Sequence, residues 1–469
     1  MRLTLGELAS LASGRVAAGD PGLVLTGIAV DSRRVRPGDI FCALPGERTD
    51  GHRFILDALR GGASAALAAS GPELALPDGK ALLLVDDPIQ ALGRAATTWM
   101  AGLRPRLRVI GITGSVGKTT TRTLTAAAVA TRMGVLEPEG NYNTEIGLPI
   151  TCLEAGPQHA AAVLELAMRG PGQIARLAEI CRPEIGALTL IGPSHLEALG
   201  SMEAIAAAKE ELVAALPAHG VAILNTDDPW QRAMAPRARA PVQWYGFGPE
   251  VDIRATDVEL LQGEGSRFRL HLPGQRPVSV RLRLAGRHLV ANALAAAGAA
   301  SALGVPADAV AEGLGRAEPP HDRLEIRRIG SYTLVGDAYN ASPASSAAAL
   351  EVLGELAAPG RALILFGDML ELGPLAESGH REVGRLIARS PARAMATVGS
   401  AAEAWVRPEA GLPGRACASP EEAADWALRE LAPGDTVLVK GSRGMQMERA
   451  LQWLQAELAA AEARARVNE

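Results

Sequence analysis

A chain of 469 residues, with 48% hydrophobic and 21% charged residues, has room for about two to four globular domains and excludes a disordered or fibrous protein. A net charge of -5 and an aromatic content of 3% argue against a nucleic-acid-binding surface, which needs positive charge and stacking rings. Four scattered cysteines without CxxC spacing indicate neither a disulfide framework nor a zinc site.

The N-terminus does not have the pattern of a signal peptide, because Glu7 and other polar residues interrupt its apolar stretch. No later apolar run is as long as a membrane-spanning helix. We therefore expect a cytoplasmic protein without membrane insertion. A monomer is the working expectation for its oligomeric state.

The order of the apolar runs predicts three α/β domains. Residues 1–101 mix short apolar runs with Gly and Pro breaks, and they end in a helix, IQALGRAATTWMAGL, before Pro105. Residues 102–320 begin with the strand RLRVIGIT and a helix from Thr119 to Arg132, after which strands and helices alternate. Such alternation predicts a mostly parallel sheet that is covered on both faces.

The pattern changes between about 242 and 285, where SRFRLHL and VSVRLRL alternate with a period of two and predict an antiparallel hairpin region. From 321 to 469 the α/β rhythm returns in YTLVGDA, ALILFGD, AMATVGS and DTVLVKG. The predicted fold class is thus α/β, with a smaller N-terminal α/β domain, a central domain with a mostly parallel sheet and a Rossmann-like C-terminal α/β domain.

The strongest local motif is a phosphate-binding loop, in which the strand ending at Thr113 runs into a Gly-containing turn and then a helix. Glycines let backbone N–H groups surround phosphate oxygens, a lysine reaches the terminal phosphates and a Thr hydroxyl ligates Mg²⁺. Strict Walker A spacing would require Gly at Ile112, so this is a variant form. The loop residues are Gly114, Ser115, Val116, Gly117, Lys118, Thr119 and Thr120.

Three further residues are candidates for a metal site near that loop. Glu165 ends the strand AAVLEL, where open parallel sheets place their ligands. His195 follows the strand IGALTLI, although a single His there is more often a loop or core residue. Lys209 is one of only four lysines in an arginine-rich chain, and a neutral lysine amine can be modified where an arginine cannot.

A family resemblance covers essentially the whole chain and is carried by segments of every predicted domain. The central segments resemble the ATPase domain of the Mur ligases, the first segment resembles their UDP-sugar domain, and the last three resemble the member that adds a dipeptide. The central segments are TGSVGKTT, GNYNTEIGLP, LELAMRGPGQIA, HLEALGSMEAIAAAKEEL and GRHLVANALAAAGA. The first segment, nearest the N-terminus, is DSRRVRPGDIFCALPGERTDGHRF. The last three are VGDAYNASPAS, LFGDMLELG and VLVKGSRGMQMERAL.

The resemblance implies a set of site residues. Lys118 and Thr119 would hold the ATP phosphates and the first Mg²⁺. Glu165 would bridge the two metals, His195 would ligate the second, and a carbamylated Lys209 would support that second metal. The nucleotide would also meet Asn292, Arg323, Asp337, Tyr339 and Asn340. The UDP-sugar substrate would meet Ser32, Arg33, Arg48, His52, Asn141 and Thr144, the last in place of a more usual asparagine.

The activity implied by the resemblance is ATP-dependent joining of D-alanyl-D-alanine to UDP-N-acetylmuramoyl-tripeptide through an acyl phosphate, in peptidoglycan precursor synthesis. A sister ligase that adds the third, diamino acid residue is an alternative, but its Asp-Asn-Pro-Arg signature is absent. A nucleotide-driven switch is another alternative, although no Asn-Lys-x-Asp motif is present. Whether the tripeptide ends in lysine or diaminopimelate stays open.

Overall fold

The computed structural model describes residues 2–46, 49–69, 75–318 and 323–467, with side chains described as far as residue 464. Three large, mainly parallel sheets form within these ranges, each from a different stretch of the chain. Helices cover the sheets, and the predicted α/β class is confirmed. No helix within the described ranges is long and apolar enough to cross a membrane.

The first stretch of the chain forms a five-stranded sheet, a separate pair of short antiparallel strands made by its first and third strands, and three helices. Its strands are β1 (Leu3–Thr4), β2 (Arg15–Ala18), β3 (Val24–Leu25), β4 (Gly27–Ala29), β5 (Asp39–Cys42), β6 (Ala65–Ala69) and β7 (Ala81–Val85). Its helices are α1 (Leu5–Ala12), α2 (Ile55–Arg60) and α3 (Pro88–Gly102). The sheet order is β2-β7-β6-β5-β4, and all pairs except β2–β7 are parallel.

Helix α3 confirms the helix predicted before Pro105 and joins the first stretch to the second. Asp87 accepts hydrogen bonds from the N–H groups of Ile89 and Gln90, and Pro88 occupies the first helical turn, so sequence and structure agree on the helix start. The Trp99 indole donates to the Ala155 carbonyl at 3.0 Å. The apolar face of α3 packs in one core with residues of the central stretch, so the first unit is firmly attached to it.

The central stretch carries the largest sheet. Its strands are β8 (Arg108–Thr113), β9 (Val135–Leu136), β10 (Ala161–Glu165), β11 (Ile185–Leu188), β12 (Val221–Asn225), β13 (Val242–Gly246), β14 (Ile253–Leu260), β15 (Ser266–His271) and β16 (Val278–Leu282). Its helices are α4 (Lys118–Ala130), α5 (Gly147–Leu153), α6 (Gln173–Cys181), α7 (Leu196–Leu199), α8 (Met202–Ala215), α9 (Pro229–Met234), α10 (Arg287–Ala302) and α11 (Ala307–Arg316). The sheet order is β16-β15-β14-β13-β12-β11-β8-β10-β9.

The predicted antiparallel hairpin region is only partly correct. Strand β13 is parallel to β12, and β14 is parallel to β13, so the parallel sheet extends two strands further than expected. Only β14–β15 and β15–β16 are antiparallel. Period-two alternation indicates that one face of a strand is exposed. It does not indicate whether the neighbouring strand runs parallel or antiparallel to it.

The third stretch forms a sheet with order β17-β18-β22-β19-β20-β21, parallel except for β17–β18. Its strands are β17 (Glu325–Ile329), β18 (Tyr332–Asp337), β19 (Ala362–Gly367), β20 (Ala392–Val398), β21 (Gly414–Cys417) and β22 (Thr436–Lys440). Its helices are α12 (Pro343–Leu356), α13 (Ala376–Ile387), α14 (Arg407–Ala410), α15 (Pro420–Glu430) and α16 (Glu448–Val467). The predicted boundary at 320/321 lies outside the described residues, and the division into 1–101, 102–320 and 321–469 stays a prediction.

Candidate active site

A cavity of about 580 Å³ lies between the central sheet and the third sheet, at the carboxyl ends of β8, β10 and β18. Open α/β sheets bind ligands at this edge. The predicted site residues in its wall are Ser115, Val116, Gly117, Lys118, Thr119, Thr120, Asn141, Thr144, Glu165, His195, Asn292, Arg323, Asp337, Tyr339 and Asn340. Of the predicted residues that the structure describes, five lie outside the wall: Ser32, Arg33, His52, Gly114 and Lys209.

The loop between β8 and α4 has a backbone that only glycine permits at two positions. Gly114 has φ +145, and a Cβ there would lie 1.9 Å from the Thr189 hydroxyl oxygen. Gly117 has φ +93, and a Cβ there would lie 2.7 Å from Oδ1 of Asn292. No side chain caps the start of α4, so its first N–H groups remain available to a phosphate, as the motif predicts.

Lys118 begins α4 and turns back over this loop, where its Nζ donates to the Ser115 carbonyl at 3.1 Å. Burial lowers the pKa of its ammonium, an effect that the nearby Glu165 opposes and Arg323 reinforces. The loop is also tied to the segment that follows β11, because the Ser115 hydroxyl donates to the Gly192 carbonyl at 2.7 Å.

Glu165 is 3% exposed and is held by two neutral donors. Thr119 Oγ1 donates to one carboxylate oxygen at 2.8 Å, and Asn143 Nδ2 donates to the other at 2.9 Å. Hydroxyl and carboxylate oxygens side by side are the hard ligands that Mg²⁺ prefers, so the residues present fit the implied metal. Asn143, which sequence reasoning missed, positions the carboxylate.

His195 reaches the cavity from the segment after β11 and meets the third stretch of the chain. Its Nδ1 lies 2.6 Å from Oε2 of Glu371. Burial lowers the pKa of the imidazole, and the Glu371 carboxylate opposes that shift. In the described residues no three His, Cys, Asp or Glu side chains are clustered as a ready metal site, so the metal role of His195 stays a prediction.

Lys209 lies on α8, behind the cavity wall, and is 1% exposed. Lys209 therefore does not lie on a solvated helix surface. Its neighbours are occupied elsewhere, since Glu210 pairs with Arg237 and Glu211 accepts backbone N–H groups at the start of α6. Burial, followed by the charge of Lys118, holds the pKa of Lys209 well below its usual range. This shift is in the direction of the neutral amine that carbamylation requires.

The third stretch contributes a buried ion pair and a stacked ring. Lys440 Nζ donates to Oδ2 of Asp337 and, at 3.1 Å, to the Asn340 carbonyl. The Arg323 guanidinium lies 4.1 Å from the centre of the Tyr339 ring, whose hydroxyl accepts from the Asn141 side chain. These contacts join the third stretch to the central loop, where the resemblance places the substrate.

The N-terminal candidates lie apart from the cavity. The Arg33 side chain is 86% exposed and binds Asp31 through two nitrogens, which lowers the pKa of Asp31 to about 2. Arg34 Nη2 lies 3.7 Å from Oε1 of Glu139, which belongs to the segment that leads to Asn141. Both ring nitrogens of His52 are engaged, by Asp50 and by the Ala69 N–H, which indicates a structural contact. Arg48 lies outside the described residues.

Together, the sheet edge, the phosphate loop and the third sheet across the cleft define a multidomain enzyme that uses a nucleoside triphosphate. Models of the Mur ligase family match three segments: "Mur ligase family, catalytic domain" over residues 24–99, "Mur ligase middle domain" over 112–300 and "Mur ligase, glutamate ligase domain" over 322–443. The chain belongs to the Mur ligase family.

Similar proteins and structures extend over nearly the whole chain. It is 34% identical to UDP-N-acetylmuramoyl-tripeptide--D-alanyl-D-alanine ligase of Escherichia coli K12, covering 97% of this chain and 98% of the relative. The Mycobacterium tuberculosis H37Rv protein of that name is 37% identical, with 94% and 95% covered. MurF from Acinetobacter baumannii has TM-score 0.87 and 31% identity, with 97% and 99% covered. MurF from Thermotoga maritima, in complex with ADP, has TM-score 0.80 and 28% identity, with 93% and 98% covered.

Proposed function

We propose that this chain joins D-alanyl-D-alanine to UDP-N-acetylmuramoyl-tripeptide, with ATP and Mg²⁺, in peptidoglycan precursor synthesis. The observation that carries the proposal is the full-length similarity to ligases of that name, combined with a cavity that all the predicted ATP-contacting segments enter. A relative that adds the diamino acid has only 20% identity and TM-score 0.53, which supports the shared fold alone. We place the reaction in the cytoplasm, on a monomer, without a nucleic-acid partner.

The chemistry follows from the stability of a carboxylate, which resists attack by an amine. The tripeptide carboxylate takes the γ-phosphoryl group of ATP and becomes an acyl phosphate. The dipeptide amine then attacks the acyl carbon, the C–N bond forms, the C–O bond to phosphate breaks, and the amine loses a proton. Phosphate and ADP are the other products. Positioning of the reactants in a closed cleft is the main catalytic device.

Different residues of the cavity contribute to different parts of this reaction. The phosphate loop holds the triphosphate, and Lys118 offsets the negative charge that gathers on the transferred group. Thr119 and Glu165 would hold Mg²⁺, which supplies charge neutralisation on the phosphate oxygens. Arg323, stacked on Tyr339, brings a further cation to the nucleotide from the third stretch. Asp337, fixed by Lys440, orients the loop that closes over the nucleotide.

The proposal is tested by measuring ATP hydrolysis and ligation with each substrate present or absent. We expect phosphate release to require the UDP-sugar tripeptide, and the ligated product to require D-alanyl-D-alanine as well. Hydrolysis that is indifferent to both would indicate a nucleotide switch. Ligation of a free diamino acid to the UDP-sugar dipeptide would instead favour the sister ligase.

A second expectation concerns the UDP-sugar contact at Arg33. Arg33→Ala should raise the apparent KM for the UDP-sugar tripeptide by about tenfold, because it removes a charged hydrogen-bond donor from the proposed uridine-nucleotide site. The exposed pair with Asp31 contributes little to folding, so the variant should remain folded. The KM for ATP should not change. Arg60→Ala on α2 is the matched control, and equal effects on both KM values would place the sugar-nucleotide site elsewhere.

A further inference from the structure

Arg169 is a cation in the cavity wall that no step described so far employs. It lies four residues after Glu165, in the loop between β10 and α6, and its side chain is exposed to solvent. Lys118 belongs to the phosphate loop and Arg323 is stacked on Tyr339, whereas the Arg169 guanidinium has no ion pair, ring contact or hydrogen bond with any described residue. Its charge is therefore available to a ligand.

The carboxylates described in the cavity wall do not neutralise the positive charge of Arg169 through an ion pair. Glu165 is held by Thr119 and Asn143, Asp337 by Lys440, and Glu371 by His195. Glu145 also lines the cavity, but it makes no ion pair with Arg169. An unpaired guanidinium beside a cavity is suited to a planar anion such as a carboxylate, which it can bind through two nitrogens.

The backbone that carries Arg169 is held in place on both sides. The Gln173 side chain accepts hydrogen bonds from the N–H of Arg169 at 2.6 Å and of Gly170 at 3.2 Å. Before it, Ala167 N–H donates to the Asn143 carbonyl at 2.9 Å. Beyond it, Gly172 N–H donates to Glu211 at 2.6 Å. The loop is thus preorganised, which lowers the entropic cost of binding a ligand.

The position of Arg169 points to the peptide substrate. Ile89 of α3 lines the same cavity, and Arg176 of α6 donates to Gln90 of α3, so this side of the cavity adjoins the N-terminal unit proposed to hold the UDP-sugar. Four residues of extended chain reach at most about 14 Å, so Arg169 lies within that distance of Glu165, measured between Cα atoms. A tripeptide spans a comparable length.

We propose that Arg169 binds a carboxylate of the tripeptide other than the one that is activated. The inference rests on the proposed function. A tripeptide with the composition named for the Acinetobacter baumannii ligase, alanyl-D-glutamyl-2,6-diaminopimelate, offers two such groups. One is the free carboxylate of the glutamyl residue, and the other is the second carboxylate of diaminopimelate, which lysine does not possess.

The test uses four UDP-sugar tripeptides, ending in diaminopimelate or lysine and carrying the glutamyl carboxylate either free or as a carboxamide. Their dissociation constants are measured by calorimetry without ATP, and their KM and kcat values in the ligation assay. The proteins are wild type, Arg169→Gln, Arg169→Lys and the control Arg269→Gln, an exposed arginine on β15 outside the cavity. We expect Arg169→Gln to weaken binding of the recognised tripeptide about tenfold or more, and Arg169→Lys to weaken it less.

A tripeptide whose binding is not weakened by Arg169→Gln lacks the carboxylate that Arg169 binds, and it thereby identifies that carboxylate. Insensitivity of the lysine tripeptides assigns the diaminopimelate group, and insensitivity of the carboxamides assigns the glutamyl group. The KM for ATP and for D-alanyl-D-alanine should not change. Equal losses with all four tripeptides, or no loss with any, would overturn the inference even if wild type ligates normally. Failure of the wild type to ligate any of them would instead count against the proposed function.

Discussion

Lys118→Ala should reduce ligation by about a hundredfold to a thousandfold while the fold is retained. The ammonium sits on the phosphate loop, beside the Ser115 carbonyl and within the electrostatic influence of Glu165. Removing a preorganised charge from a transition state that accumulates negative charge costs several kcal/mol of barrier, about 3 to 4 for a single donor in comparable sites. Because the charge matters most while the phosphoryl group moves, the main loss should be in kcat.

Two comparisons make that result specific. Lys118→Met retains most of the side-chain volume, so its loss of turnover should match that of Lys118→Ala if the charge is responsible. Lys80→Ala removes a lysine from the first stretch, outside the cavity, and should leave turnover unchanged. Circular dichroism and thermal unfolding report whether each variant is folded. A folded Lys118→Ala protein with near wild-type turnover would contradict the assignment of this loop.

The elements nearest the phosphate loop were the most predictable, because local chemistry determines them. The strand before Thr113, the glycines at positive φ and the helix start at Lys118 each follow from residues within one turn of one another. The helix predicted from Thr119 to Arg132 begins one residue earlier and ends at Ala130. Strand β21 was not predicted, since its segment is short and its residues are largely exposed.

Contacts between distant segments were not predictable in the same way. His195 was a candidate from the sequence, yet its partner Glu371 lies in a loop of the third sheet and is brought to it only by the packing of the two sheets. Lys440 is one of the four lysines of the chain, but its pairing with Asp337 depends on β18 and β22 lying side by side. Asn143 follows Asn141 by two residues, and only the structure distinguishes the one that holds Glu165.

Substitution of Lys209 should reduce ligase activity as strongly as substitution of Lys118, although Lys209 lies behind the cavity wall. Its amine is buried and forms no ion pair with a described residue, although the Glu165 and Glu211 carboxylates partly oppose the burial that holds its pKa well below the usual lysine range. A neutral amine can add CO₂ and release a proton, giving a carbamate anion. Such an anion can support Mg²⁺ on the side of His195, whereas an ammonium there would repel the metal. We propose that the active enzyme carries this carbamate.

Lys209→Arg should therefore lose most of its ligase activity, because arginine keeps a positive charge and cannot form the carbamate. Since arginine is larger and the site is closed, Lys209→Met serves as a neutral variant of similar size, and it should be folded and inactive. Lys209→Ala should be partly restored by acetate, which supplies a small carboxylate in the space left behind. Acetate should not restore Lys118→Ala. A wild-type rate for Lys209→Arg, or an unmodified amine in the mass spectrum of the active, Mg²⁺-loaded enzyme under conditions that preserve carbamates, would show that Lys209 acts only through its packing.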